Sequence, residues 1–260
     1  MKALLIDNFD SFTFNLEHCF RLAGCEVETY RNNVEISIVE KIRPDFIIIG
    51  PGPSSPQNAG ISMPVVESYS GKIPIFGVCL GMEVIAEVYG MKIRPLDDII
   101  RGKIDGLPIS PVGNFHGNDF SRGQNKSDIV HGAASEIRHD SRTIYDGLPQ
   151  PFFAGRYHSL GAYTFVDPTG PINGSTVHDP LEIVAVALSL NSPTQRHFPL
   201  YTYGAFETPP DRHSSIVMGI RHNQFPVEGV QFHPESVLSM KENAGQNLVQ
   251  NVVNYFGSLK

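Results

Sequence analysis

Ile73–Gly90, IPIFGVCLGMEVIAEVYG, is the stretch whose reading decides the fold. An apolar run from Ile73 to Val78 stops at Cys79. Behind it Leu80, Val84, Ala86, Val88 and Tyr89 recur at roughly three- and four-residue intervals, the spacing of a helix. A strand that turns directly into a helix would hold the Cys79 thiol at the tip of a sharp bend. The open N-terminus of that helix favours negative charge, so the spacing predicts a thiol pKa lowered toward the reactive thiolate. Gly77 and Gly81 on either side would remove the Cβ atoms that crowd a substrate and would tolerate strained dihedrals. A buried structural role is the commoner fate of a cysteine. The two glycines at this junction favour the reactive reading.

Upstream, the same alternation of apolar runs and helical patterns is repeated. Ala3 to Ile6 reads as a strand ending at Asp7. Asp10-Ser11 offers an N-cap for a helix with Phe12, Leu16, Phe20 and Ala23 on one face and Gly24 as its stop. Glu26 to Tyr30 reads as a strand, 37–42 as a helix ending before Pro44, and Phe46 to Ile49 as a continuous apolar strand. Three β-α units with fully apolar strands predict an open, mostly parallel α/β sheet, flavodoxin-like, with helices on both faces. Ligands of such sheets bind beyond the carboxyl ends of the strands, which aligns Asp7, the loop 50–54 and Cys79 along one edge. That loop continues as Gly50-Pro51-Gly52-Pro53-Ser54-Ser55-Pro56. It can be read as a rigid turn or as a main-chain N–H offered to an oxyanion near Cys79, and its residues leave both readings open.

Downstream the pattern weakens. Residues 96–130 and 191–214 are long, irregular, and rich in Gly, Asn, Ser or Pro, and they read as insertions decorating a single domain spanning 1–260. Between and after them, 183–190 and 215–220 read as strands. Val227 to Glu235, VEGVQFHPE, alternates like a strand and runs into His233-Pro234-Glu235. Side chains two apart in an extended segment share a face, which would put His233 beside Glu235. Residues 242–256 carry Ala244, Leu248, Val252 and Phe256 at helical spacing and form a closing helix.

Composition narrows the class. A net charge of −7 without a long basic run gives no electrostatic case for nucleic acid. No apolar stretch is long enough to cross a membrane, and MKALLIDNFD is too short for a signal peptide, so a cytoplasmic protein is expected. Three cysteines without regular spacing argue against a disulfide framework, and Cys19 and Cys25 read as packing residues. His116, His131, His139, His197 and His213 fall in irregular stretches and are expected to be solvated. No His lies at a recognisable metal-ligand spacing, and neither metal nor cofactor is expected. A thiolate at Cys79, an imidazole at His233 and an orienting carboxylate at Glu235 would make a nucleophilic triad.

GVCLG around Cys79, together with GVQFHPES around His233 and Glu235, resembles the class I glutamine amidotransferases. The opening DNFDSFTFNL from Asp7, HGAASEIRHD from His131 and AGRYHSLGAY from Ala154 look like the amidotransferase subunits of chorismate-using enzymes. Those are anthranilate synthase component II and its aminodeoxychorismate synthase counterpart. The resemblance implies that Cys79 attacks the side-chain amide of L-glutamine, that His233 relays protons and that Glu235 orients it. It assigns the oxyanion hole to the N–H groups of Gly52 and Leu80. Glutamine binding falls to Gly52, Pro53, Ser54, position 83, and the backbone of Ser159 and Leu160. Ammonia would pass to a separate chorismate-binding synthase subunit, with anthranilate as the first product reading and aminodeoxychorismate as the second. Three positions depart from the family pattern: Glu83 where Gln is usual, Ser54 where Gly is usual, and Ala133 where Lys is usual. These departures support one alternative, a non-catalytic paralogue acting as a structural or regulatory partner. A stand-alone γ-glutamyl hydrolase is the other.

Overall fold

Short runs of branched and aromatic residues, bounded by Asp, Gly or Pro, build the half of the sheet that carries the site. The computed structural model describes residues 1–96, 98, 130–163, 181–188 and 215–260. Its strands are β1 (Lys2–Asp7), β2 (Glu26–Arg31), β3 (Phe46–Ile49), β4 (Ile75–Val78), β5 (Lys92–Pro95), β6 (Val130–His139), β7 (Phe152–His158), β8 (Leu160–Tyr163), β9 (Leu181–Leu188), β10 (Ser215–His222) and β11 (Val227–Val230). Among the described residues the main sheet has the order β2-β1-β3-β4-β11-β10-β9-β6-β7, and β5 pairs with β8 in a separate ribbon. From β2 to β11 every neighbour is parallel. From β11 outward to β7 the pairs are antiparallel.

The parallel strands are apolar throughout because both their faces are covered. On β3, Phe46 and Ile48 join one core with Leu16, Cys19 and Phe20 of helix α1 (Thr13–Leu22) and Leu248, Val249 and Val252 of helix α5 (Ala244–Gly257). Ile47 and Ile49 point the other way. They pack with α2 (Ile38–Ile42), α3 (Ser62–Tyr69) and α4 (Leu80–Val88). This is the open α/β sheet with helices on both faces that the apolar runs predict. Cys19 and Cys25 are buried in the first of these cores. Beyond the parallel strands, Arg221 on β10 ties the two halves together, bonding Asp140 at 2.6 Å and facing Glu228 of β11 at 3.2 Å.

Several expectations need correction. The first ninety residues hold four β-α units, because α3 follows the loop after β3; Pro64 sits in its first turn, where its missing N–H costs nothing. The closing helix starts at Ala244 rather than at 242, since Glu242 and Asn243 both have positive φ, 55° and 57°. Asp10 accepts the Phe12 N–H at 2.8 Å, but Phe12 itself flanks α1 and no side chain caps it. His139 is not solvated: it lies on β6, buried, with its ring stacked on Tyr145 at 5.0 Å and its Nε2 3.0 Å from Pro149 O. His116, His197, His213 and almost all of the 96–130 and 191–214 stretches lie outside the described residues.

The junction of β4 and α4 depends on two absent side chains. A Cβ on Gly81 would sit 2.0 Å from Ile49 O, and one on Gly77 would sit 2.5 Å from the Gly81 carbonyl carbon. The glycines therefore let the helix start lie directly on the strands, which is a packing reason and not the substrate-clearance reason expected from the sequence. Gly81→Ala should cost about 3 kcal/mol, because no flexible side chain can move aside to make room. Urea denaturation measures this, and a loss under about 0.5 kcal/mol would show that α4 can lift off β3 freely.

Candidate functional site

The carboxyl ends of β4 and β11 lie side by side. The Cys79 N–H donates to Val230 O at 2.8 Å, so the residue after β4 is stapled to the strand that leads into His233. Cys79 has φ 54° and ψ −109°, a left-handed conformation that a non-glycine residue adopts only when its surroundings enforce it. Here the enforcement comes from the strand on one side and the first turn of α4 on the other, where Glu83 N–H returns to Cys79 O at 3.1 Å.

His233 and Glu235 meet as the spacing predicts, with Nδ1 2.6 Å from Oε1 and both side chains buried. The route differs from the expected extended segment. β11 ends at Val230 and is buried on both faces rather than alternating, and residues 233–236 form a turn closed by Ser236 N–H to His233 O at 3.2 Å. The His233 N–H is also held by Gly155 O of β7 at 3.0 Å. With Nδ1 committed to Glu235, the buried Nε2 has no hydrogen-bond partner of good geometry among the described residues, and it faces the thiol. Phe12 and Tyr157 roof the imidazole at ring distances of 5.0 and 5.2 Å, and Tyr157 is tethered to Ser236 through a 2.9 Å hydroxyl contact.

The electrostatics correct a second expectation. Burial pushes the Cys79 thiol up rather than letting the helix end pull it down, and the neighbouring His233 imidazole opposes that rise. Burial also disfavours charge on His233, yet the sulfur on one side and Glu235 on the other outweigh it and hold the imidazole well above 6.5. The group that opposes the rise at the sulfur is thus the His233 imidazole.

Two groups beside the sulfur sharpen the picture. Glu83, one turn along α4, is buried, and burial raises its pKa to about 7 despite the Gln231 hydrogen bond that opposes the rise. Gln231 donates its amide to Glu83 Oε1 at 2.9 Å and reaches the Cys79 sulfur at 3.9 Å. Sequence reasoning missed Gln231, though a polar residue between buried Val230 and Phe232 was a usable signal. Phe12 and Tyr157 had no such signal, since aromatic residues on a helix start and a strand read as core.

The other sequence candidates lie around this centre. Gly52 packs against Leu80: a Cβ on it would lie 2.8 Å from Leu80 Cδ2. Leu80 is the first residue of α4, and Pro53 and Ser54 are exposed on the same loop as Gly52. Ser54 has φ 76°, the left-handed region in which the glycine usual at this position is at ease. Ser159 and Leu160 join β7 to β8, where Ser159 O accepts the Leu96 N–H at 2.9 Å and Leu160 O accepts from His158 Nδ1 at 2.7 Å. Those two carbonyls are already engaged. Ala133 stands exposed on β6. Among the described residues no group of three His, Cys, Asp or Glu side chains could hold a metal ion, and no helix is long and apolar enough to cross a membrane.

The chain is similar to known proteins along nearly its whole length. The family model for class-I glutamine amidotransferases matches residues 4–193 and 206–253. The aminodeoxychorismate/anthranilate synthase component 2 of Bacillus subtilis is 33% identical over 254 residues, covering 97% of this chain and 96% of its own. Anthranilate synthase component 2 of Methanocaldococcus jannaschii is 32% identical, covering 97% and 96%. Aminodeoxychorismate synthase component 2 of Serratia marcescens is 32% identical, covering 96% and 98%. Among solved structures, a GMP synthase subunit from Thermoplasma acidophilum superposes with a TM-score of 0.61 over the whole of this chain and 95% of its own, at 15% identity, a likeness of fold alone. With a family match that spans nearly the whole sequence and relatives above 30% identity from end to end, the chain belongs to the class-I glutamine amidotransferases.

Proposed function

We propose that this chain hydrolyses L-glutamine at Cys79 and supplies the ammonia to a chorismate-binding synthase subunit. The observation that carries the reading is the buried His233–Glu235 contact of 2.6 Å beside a cysteine held in a left-handed turn. The Cys79 thiolate attacks the side-chain carbonyl carbon of glutamine. The oxyanion that forms is received by the N–H groups of Gly52 and Leu80, each such donor contributing about 3 kcal/mol. His233, carrying the thiol's proton and oriented by Glu235, gives it to the departing nitrogen, and a γ-glutamyl thioester remains. His233 then takes a proton from water, whose oxygen attacks the thioester to release glutamate and restore the thiol. Pro53, Ser54, Glu83 and the backbone of Ser159 and Leu160 hold the rest of the glutamine.

Anthranilate is the first reading of the product and aminodeoxychorismate the second; relatives bearing each name, and one bearing both, support keeping the pair. The test is glutamate release by the purified chain alone and with an anthranilate or an aminodeoxychorismate synthase subunit. Turnover that requires one of these partners supports the reading. Full turnover alone would make the chain a free-standing hydrolase, and none under any condition would make it a non-catalytic partner.

Cys79→Ser should abolish glutamine-dependent synthesis by the complex while synthesis from added ammonia survives. Loss of both activities would mean that the cysteine serves the assembly instead. Glu83 generates a pH prediction. Below about pH 7 its carboxyl is neutral and resembles an amide; above that it is an anion facing the substrate carboxylate. Repulsion of about 1 kcal/mol would raise the glutamine KM roughly fivefold between pH 6 and 8. Glu83→Gln should remove that rise, and parallel pH profiles for the two proteins would place Glu83 outside the glutamine site.

A further inference from the structure

Asn8, directly after β1's Asp7, is almost wholly buried yet takes no part in the chemistry above. Its side-chain amide joins three separate segments. Nδ2 donates to Gly50 O at 2.8 Å, while Oδ1 accepts from Asn32 Nδ2 at 2.9 Å and from Ser62 Oγ at 2.9 Å. The partners are themselves fixed. Asn32 follows β2, giving its N–H to Asp7 O and accepting that of Ile61, and Ser62 opens α3. Gly50 is the first residue of the loop that carries Gly52.

Gly52 also rests on Asn8 directly. A Cβ placed on Gly52 would lie 2.5 Å from Asn8 Cβ and 2.7 Å from Asn8 O, with Leu80 Cδ2 at 2.8 Å. Gly52 is thus in close contact both with Leu80, which bears the other oxyanion donor, and with Asn8, which grips the loop's root. Pro53 and Ser54, further along, are exposed and supply no comparable anchor.

We propose that Asn8 is a positioning residue for acyl transfer at Cys79, holding the Gly52 N–H where the oxyanion forms by gripping Gly50 and backing Gly52. The inference rests on the reading of Gly52 as an oxyanion donor. An amide is the side chain this role demands, because it must donate to one carbonyl and accept from two donors at once. Aspartate would keep the accepted bonds and set a second acceptor against Gly50 O. Displacement of a preorganised donor by a fraction of an ångström removes stabilisation in the transition state and leaves ground-state binding largely intact.

The test uses the full chain bound to the synthase subunit that supports its turnover, with L-glutamate γ-monohydroxamate, whose carbonyl develops the same oxyanion, and with iodoacetamide, which needs the thiolate but no oxyanion hole. Asn8→Ala and Asn8→Asp should each lower kcat by about 10- to 100-fold with KM changed by less than about threefold, and the iodoacetamide rate should stay within about twofold of the wild type. Ser62→Ala, which removes one donor to Oδ1 and keeps the Gly50 bond, should give a loss of the same kind but smaller, and serves if the Asn8 variants fail to fold. Unchanged kcat, or equal losses in both reactions, would overturn the positioning role. A wild-type complex that iodoacetamide labels at Cys79 but that never turns over the hydroxamate would overturn the reading of Gly52 and this inference with it.

Discussion

One main-chain hydrogen bond, from the Cys79 N–H to Val230 O at 2.8 Å, sets the geometry on which the rest depends. It exists because β4 and β11 are parallel neighbours although most of the chain lies between them, so their carboxyl ends open on the same edge of the sheet. From that edge one strand delivers a sulfur and the other an imidazole three residues later. A different strand order would leave every residue of the site intact and useless. The close fit of Gly81 on Ile49, and of Gly77 on Gly81, keeps α4 pressed against the strand ends and its first turn in register with the sulfur.

Burial is the second constraint, and it works through competition. A thiol and an imidazole removed from water would each be driven toward neutrality. At Cys79 the neighbouring imidazole opposes the rise that burial causes, and at His233 the sulfur and Glu235 outweigh burial and hold the imidazole well above its ordinary value. Among the described residues no cation is paired with Glu83. Its hydrogen bond from Gln231 is a weaker compensation, which is why its pKa rises to about 7. A carboxyl with that pKa alternates between a neutral and a charged form near neutrality.

Where the chain was legible from its residues, the reason is periodicity. β1, β3, β4 and the helix behind Cys79 are read from runs that are apolar because both sheet faces are covered. In the antiparallel half β9 and β10 were read as strands at 183–190 and 215–220, whereas β6 and β7 were not legible in the same way. On β6 the buried positions from Ser135 onward are Ser135, Ile137 and His139, so the alternation is present but carried largely by polar side chains. On β7 a fully buried Arg156 breaks the pattern again. Helix α3 was hidden for a different reason: it is short, opens on the buried Ser62, and carries a proline. In the site, the pairing of His233 with Glu235 was readable from spacing, whereas the turn that makes it was not. The roles of Gln231 and Asn8 depend on neighbours distant in the chain.

The sequence by itself determined the class of fold, a cysteine at a strand-to-helix bend, and the pairing of a histidine with a glutamate two residues on, because each of these is written in local spacing and residue type. Only the tertiary structure decided which side of neutrality the buried groups take, why the glycines flank the cysteine, and what holds the Gly52 loop in place. Those depend on desolvation and on atoms brought within a few ångströms by strand order, and neither leaves a mark on any short stretch of residues.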